Sequence, residues 1–250
     1  MLHSTKPQYK NRLLNRLDPQ DSALLSPHLE RVKLGIRDRL EEHGTPIKFV
    51  YFLEEGIGSI VARIGNGRDT EVGVLGYEGM TGTAVVLGDN LTAHNCFVQM
   101  AGEAMRIPAD PFRDALEQSP TLRLFLLRYV ECLMVQASYT AVVNVRMTLE
   151  QRLARWLLMC DDRVGGKIKL THEFLSIMLG VRRPGVTVAI QILEGKGFIR
   201  AMRGEIVIRE RQGLIDLADG GYGVPEAEYE RLIGSISPTS EKSTYLARPA

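Results

Sequence analysis

The stretch LTHEFLSIMLGVRRPGVTVAIQILEGKGFIR, residues 170–200, limits what this chain can fold into more than any other. Apolar residues at helical spacing stop at Gly180 and resume only after Arg182-Arg183-Pro184. One continuous helix cannot carry that pattern. Proline lacks the amide hydrogen a helix interior needs and is tolerated only in a first turn. Glycine is the residue that ends helices in the left-handed region. The spacing therefore predicts a helix over His172–Leu179, with Thr171 as its cap and Glu173 in its first turn. A second helix starts at Arg183 or Pro184, where Val186, Ile190 and Leu193 repeat at steps of four and three. Gly195 and Gly197 close it. Two short helices joined by a glycine-containing turn make a helix-turn-helix. The segment Arg200–Arg209, turning at Arg203-Gly204, adds a hairpin wing.

In such a unit the second helix enters the major groove of DNA with its N-terminal residues nearest the bases. Arg182, Arg183, Gly185, Thr187 and Gln191 form the expected groove-side set, and arginine can pair with both acceptors of a guanine. Thr171 at the first helix's N-terminus, with Arg200 and Arg203 of the wing, is expected to hold phosphates. The whole chain carries a net charge of only +1, which decides nothing. Residues 148–213, however, hold twelve lysines and arginines against seven aspartates and glutamates, a local +5 that leaves about −4 elsewhere. Positive charge gathered on the helix-turn-helix module is the footprint of phosphate contact.

Upstream, residues 8–43 contain short helical patterns, with leucines at 13, 14 and 17. From Ile47 the period shortens: IKFVYFL, SIVARI, TEVGVLG and CFVQMAGEAMRI are β-rich runs separated by glycine turns, and Asn66-Gly67 is a hairpin signal. Repeated short strands predict a small barrel or sandwich. After Pro108 the pattern becomes helical. Leu122, Leu126, Tyr129 and Leu133 form one apolar stripe, and Leu127, Val130, Met134, Ala137 and Ala141 form another. Two stripes on one helix require two surfaces, one being the barrel and the other the same helix of a second subunit. The stripe at Leu122, Leu126, Tyr129 and Leu133 is assigned to that second subunit. Residues 225–234 predict a small helix, and the polar tail from Ser235 reads as disordered.

Several classes are excluded. No apolar run approaches a membrane span, and the polar, basic N-terminus lacks the apolar core of a signal peptide, so a cytoplasmic protein without a membrane partner is expected. Cys96, Cys132 and Cys160 are far apart and read as buried free thiols, and the five histidines form no ligand pair. No metal, cofactor or catalysis is expected: GNGRD lacks the ending of a phosphate-binding loop, and no GxSxG occurs. The carboxylate pairs Glu54-Glu55 and Asp161-Asp162 read as solvated surface.

The order of β-barrel, long helix and winged helix-turn-helix resembles the Crp/Fnr family of bacterial transcription regulators. Residues 170–200 are similar to its C-terminal signature, roughly L-T-x-x-x-L-A-x-x-x-G-V-x-R-x-x-V-x-x-x-L-x-x-L-x-x-x-G-x-I, with Leu170, Thr171, Leu175, Gly180, Val181, Arg183, Val186, Leu193, Gly197 and Ile199 in register. The resemblance implies an α+β protein. A helical segment (1–45) would precede a cyclic-nucleotide-binding-like double-stranded β-helix or jelly-roll barrel (46–117). A dimerisation helix (118–145), the winged helix-turn-helix (146–220) and a partly disordered extension (221–250) would follow. It implies a homodimer acting on two-fold sites in double-stranded DNA, with RNA polymerase or steric exclusion supplying the output. Arg183 keeps the family's base-reading arginine, whereas Pro184 and Val188 replace a glutamate and a second reading arginine, and Arg182 replaces the cap serine.

The family's effector pocket maps onto Gly82, Thr83, His94, Asn95 and, on the long helix, Ser138. Thr83 stands where the ribose-binding glutamate belongs, and His94-Asn95 stand where an arginine-serine pair holds the phosphate. Histidine does not replace the permanent forked charge of arginine. Control by cyclic AMP is therefore not expected, and any effector is an unidentified one. The alternative reading is a ligand-sensing module that controls a protein partner through its winged-helix domain.

Overall fold

The computed structural model describes residues 9–63, 65 and 69–234. The chain divides into two units at Val130, inside the long helix.

The first unit opens on two short helices, α1 (Arg12–Arg16) and α2 (Pro19–Leu25). Asn11 caps α1: its Oδ1 accepts the Leu13 and Leu14 amides, while its Nδ2 donates to the carbonyls of Leu53 and Gly79. Strands β1 (Glu30–Leu34), β2 (Arg39–Glu41), β3 (Phe49–Leu53), β4 (Ile57–Ala62) and β5 (Thr70–Leu75) follow. After the one-turn helix α3 (Thr83–Val86) come β6 (Asn95–Met100), β7 (Gly102–Pro108) and α4 (Ala109–Gln118). The strands form two antiparallel sheets, ordered β1-β7-β3 and β2-β6-β4-β5. Leu34, Leu53 and Ala104 of the first pack with Leu40, Leu75, Cys96 and Val98 of the second into one apolar core. The fold is α+β, as expected. The Asn66-Gly67 turn and the tail from Ser235 lie outside the described residues.

Among residues 9–43, helix extends only as far as Leu25, followed by a 3-10 turn at Ser26–His28. Beyond it β1 and β2 belong to the sheets, so strand structure starts at Glu30 and not at 46. The run ERVKL alternates Val32 and Leu34 with charged residues, but it is too short for its period to register. Pairing decides it: Val32 stands opposite Ala104 and Leu34 opposite Gly102. Glu54 is likewise not solvated surface. Its carboxylate is buried and accepts the backbone amides of Lys10 and Asn11, tying the N-terminal segment to β3.

The long helix α5 (Pro120–Arg146) carries both apolar stripes, but the stripe assigned to a second subunit packs into this chain's own core. Leu122 and Leu126 are fully buried within this chain and Tyr129 is 2% exposed, so this face cannot be the one reserved for a second subunit. Leu133 is half-buried. The Tyr129 hydroxyl accepts the Met80 amide at 3.0 Å and faces the Met80 carbonyl at 3.2 Å. A side chain at Gly79 would place Cβ 2.4 Å from that oxygen, which explains the glycine. The face left open instead carries Leu124, Met134, Val142 and Val145, with Met134 60% and Val145 83% exposed.

In the second unit α6 (Leu149–Val164) begins at a reciprocal cap between Thr148 and Gln151. Strand β8 (Lys167–Lys169), helices α7 (His172–Met178) and α8 (Arg183–Gly195), and strands β9 (Ile199–Met202) and β10 (Glu205–Ile208) follow. Two further helices, α9 (Arg211–Leu217) and α10 (Val224–Leu232), end the described chain. Asp161 and Asp162 are not a solvated pair. Arg211 of α9 bonds Asp161 at 2.7 Å and Asp162 at 2.5 Å, and the Tyr222 hydroxyl donates to Asp162 at 2.7 Å. The three cysteines are free and buried, as expected. Among the described residues no helix is long and apolar enough to cross a membrane.

Candidate nucleic-acid interface

The break at Gly180 has the anticipated geometry. Thr171 Oγ1 accepts the Phe174 amide at the start of α7, and Gly180 ends the helix at a φ of +62°. The Val181 amide returns to the Ser176 carbonyl at 3.0 Å, closing the helix end. Arg182 occupies the cap position of α8 in extended conformation, and Pro184 sits in the first turn. Phe174, Leu175 and Met178 of α7 are buried with Val186, Ala189, Ile190 and Leu193 of α8 and with Leu153 and Leu157 of α6. Gly185 leaves room for α6: a Cβ there would stand 3.3 Å from Leu149 Cδ2.

Arg182, Arg183, Gln191, Arg200 and Arg203 are all exposed on this module, as is Thr171. Gly185 and Thr187 are half-buried. Arg183 is not free, since its Nη2 lies 3.0 Å from Glu173 Oε2. Both partners are well exposed, so water screens the pair and it is worth at most about 1 kcal/mol. The Thr187 hydroxyl donates to the Arg183 carbonyl, leaving its oxygen to accept from His172 Nδ1 at 3.1 Å.

The wing is a three-stranded antiparallel sheet ordered β8-β10-β9. Gly204, at a φ of +74°, turns β9 into β10, and the Leu170 amide donates to its carbonyl. Glu194 at the end of α8 accepts the Ala201 amide at 2.9 Å, fixing the wing against the second helix.

One contact has no signal in the sequence. Arg152 of α6 donates to the Leu179 carbonyl and so holds the turn between α7 and α8. Its place on the helix wheel was visible, but its partner is 27 residues away. On α8 itself, Val188 and Ile192 are exposed apolar residues on the side away from the core.

Most of the residues assigned to the effector pocket make hydrogen bonds within the chain. The Gly82 amide at the start of α3 donates at 2.5 Å to the carboxylate of Glu41, and the Thr92 hydroxyl donates to the other Glu41 oxygen at 3.3 Å. Burial raises the Glu41 pKa above the ordinary carboxylate value. His94 is exposed, and its amide donates to Thr92 Oγ1. Asn95 accepts the His43 amide through its side chain. Thr83 is half-buried in α3. Ser138 belongs to the second unit, where its hydroxyl donates to the Met134 carbonyl. A cyclic nucleotide brings a phosphodiester anion, and at the positions equated with the family's phosphate-holding arginine-serine pair this chain has His94 and Asn95, which bring no guanidinium fork. They do not fit that group.

Residues 32–119 match the cyclic nucleotide-binding domain family, and residues 151–217 match the Crp-like helix-turn-helix domain family. The global nitrogen regulator of Nostoc sp. strain PCC 7120 is 22% identical over 177 residues, covering 67% of this chain and 79% of that protein. A Crp/Fnr-family transcriptional regulator from Eubacterium rectale has the same fold at a TM-score of 0.65 and 17% identity, over 83% of this chain and 98% of its own. FixK2 from Bradyrhizobium japonicum gives 0.63 and 17%, over 76% and 96%. With both domains present in the family's order and the basic module built as a winged helix-turn-helix, the chain belongs to the Crp/Fnr family of DNA-binding transcription regulators.

Proposed function

We propose that this regulator acts as a homodimer on a two-fold symmetric DNA site and is not controlled by a cyclic nucleotide. The observation that carries the dimer is the open face of α5. Leu124, Leu127, Glu131, Met134, Ser138, Ala141 and Val145 recur at steps of three and four, the spacing of a coiled-coil seam. Met134 and Val145 are exposed along it, while the opposite stripe is spent on the chain's own core. A two-fold protein places its two reading helices about one DNA turn apart, roughly 34 Å. Arg182, Arg183, Gly185, Thr187 and Gln191 then meet the groove, and Thr171, Arg200 and Arg203 meet phosphates. The regulator works in the cytoplasm, where contact with RNA polymerase or steric exclusion turns binding into output.

Rejection of cyclic nucleotides is supported by His94 and Asn95, which bring no arginine to the phosphate, and by Glu41, which gives the Gly82 amide an acceptor from within the chain. The test is selection of a DNA site from random duplexes, followed by footprinting with and without cyclic AMP. A two-fold footprint unchanged by cyclic AMP is expected, weakening steeply as salt rises. An asymmetric footprint, or one that appears only with the nucleotide, overturns the reading.

A further inference from the structure

We propose that the centre of the α8 reading face, built on Val188, recognises a thymine by its 5-methyl group. Each half of the DNA site would then carry a T·A pair where Val188 meets the groove. This rests on α8 being the recognition helix, and goes beyond it by naming what the helix reads.

The buried side of α8 is fixed by Val186, Ala189, Ile190 and Leu193. At about 100° per residue, the opposite side is centred on Pro184, Val188 and Gln191. Val188 is 52% exposed and Ile192, one turn on, is 38% exposed. Arg183 falls to the flank, about 100° from Pro184, and Glu173 draws it toward α7. The middle of the face thus carries the apolar Pro184 and Val188 beside Gln191, with Arg183 on its flank.

That arrangement selects its occupant. An apolar partner helix would leave Arg182, Arg183, Arg200 and Arg203 facing uncharged surface. Duplex DNA supplies phosphates for those cations, and the thymine methyl is the apolar group of the major-groove edge. Valine has no donor or acceptor, so it cannot satisfy the exocyclic amine of cytosine or adenine, and desolvating such a group unpaired is costly. Its β-branched side chain holds one preferred rotamer on a helix, so little order is lost on contact.

The test uses the full chain and the DNA site it selects. Each thymine of that site is replaced singly by deoxyuridine, which removes only the methyl group. One thymine per half-site should weaken binding about fourfold when replaced, the worth of burying one methyl-sized group. With Val188→Ala the same replacement should have little effect. Val188 lies outside the core, so the variant keeps the fold. A uracil penalty equal in both proteins, or a selected site with no methyl-sensitive thymine, overturns the proposal while leaving DNA recognition by α8 intact. Selection that yields no preferred site overturns the recognition-helix reading and this proposal with it.

Discussion

Arg183 Nη2 sits 3.0 Å from Glu173 Oε2, so the arginine expected to read a base is held by a carboxylate from the preceding helix. Both groups are exposed, and the pair is weak enough to open on DNA. In the proposed complex Glu173 would also place negative charge near the phosphates assigned to Thr171. Glu173→Ala should therefore raise affinity for the selected site by about two- to fivefold at low salt, within the energy of a surface ion pair. The gain should shrink in an Arg183→Ala background. Fluorescence anisotropy on the four proteins of that cycle measures it. Arg183→Ala alone should cost about 1–3 kcal/mol and relax base preference at one position of each half-site.

Tyr129 serves both backbone groups of Met80 through one hydroxyl. Tyr129→Phe keeps the ring and leaves a buried amide and carbonyl without that partner. The expected cost is about 1–3 kcal/mol, read from the unfolding transition of the first unit in urea. An unchanged midpoint would mean that the ring alone anchors α5.

The two stripes of α5 should respond differently to charge. Met134→Glu puts a carboxylate on the open seam and should give a folded monomer by analytical ultracentrifugation, with DNA affinity falling as the two half-sites are uncoupled. Leu126→Glu buries a charge in the chain's own core and should unfold the first unit instead. A folded dimer of the Met134 variant would place the interface elsewhere.

Glu226 accepts the Gly223 amide at the start of α10, and burial first, then the neighbouring Asp162, raise its pKa above 4.5. A carboxyl whose folded pKa is raised prefers to be protonated in the fold. Its contribution is therefore fullest below pH 4.5 and is lost as pH rises through the folded value. Glu226→Gln keeps an acceptor for Gly223 and removes the charge. Thermal melts should show the variant more stable than wild type at pH 8, with the difference narrowing toward pH 5. A gap independent of pH would contradict this.

The helix-turn-helix was legible in the chain because each of its signals is local. A cap at Thr171, a left-handed glycine at 180, a first-turn proline at 184 and a helical period on either side act within a few residues of one another. The strands from Ile47 onward and the basic balance of residues 148–213 were legible for the same reason. Tertiary structure decided what depends on a distant partner. Helical periodicity established that α5 has two apolar faces, but only the bond from Tyr129 to Met80, 49 residues away, shows which face the chain keeps for itself. Residues 30–34 became a strand because β7 pairs with them, although their own pattern is short and charged. Glu54 and Asp162 look like surface carboxylates until the amide of Asn11 and the guanidinium of Arg211 close over them from 43 and 49 residues off. Glu41 behaves alike: nothing near it in sequence indicates that it will meet Gly82, 41 residues on. Local conformational preference is written within a few neighbouring residues, whereas burial and pairing are settled only when segments far apart in sequence meet.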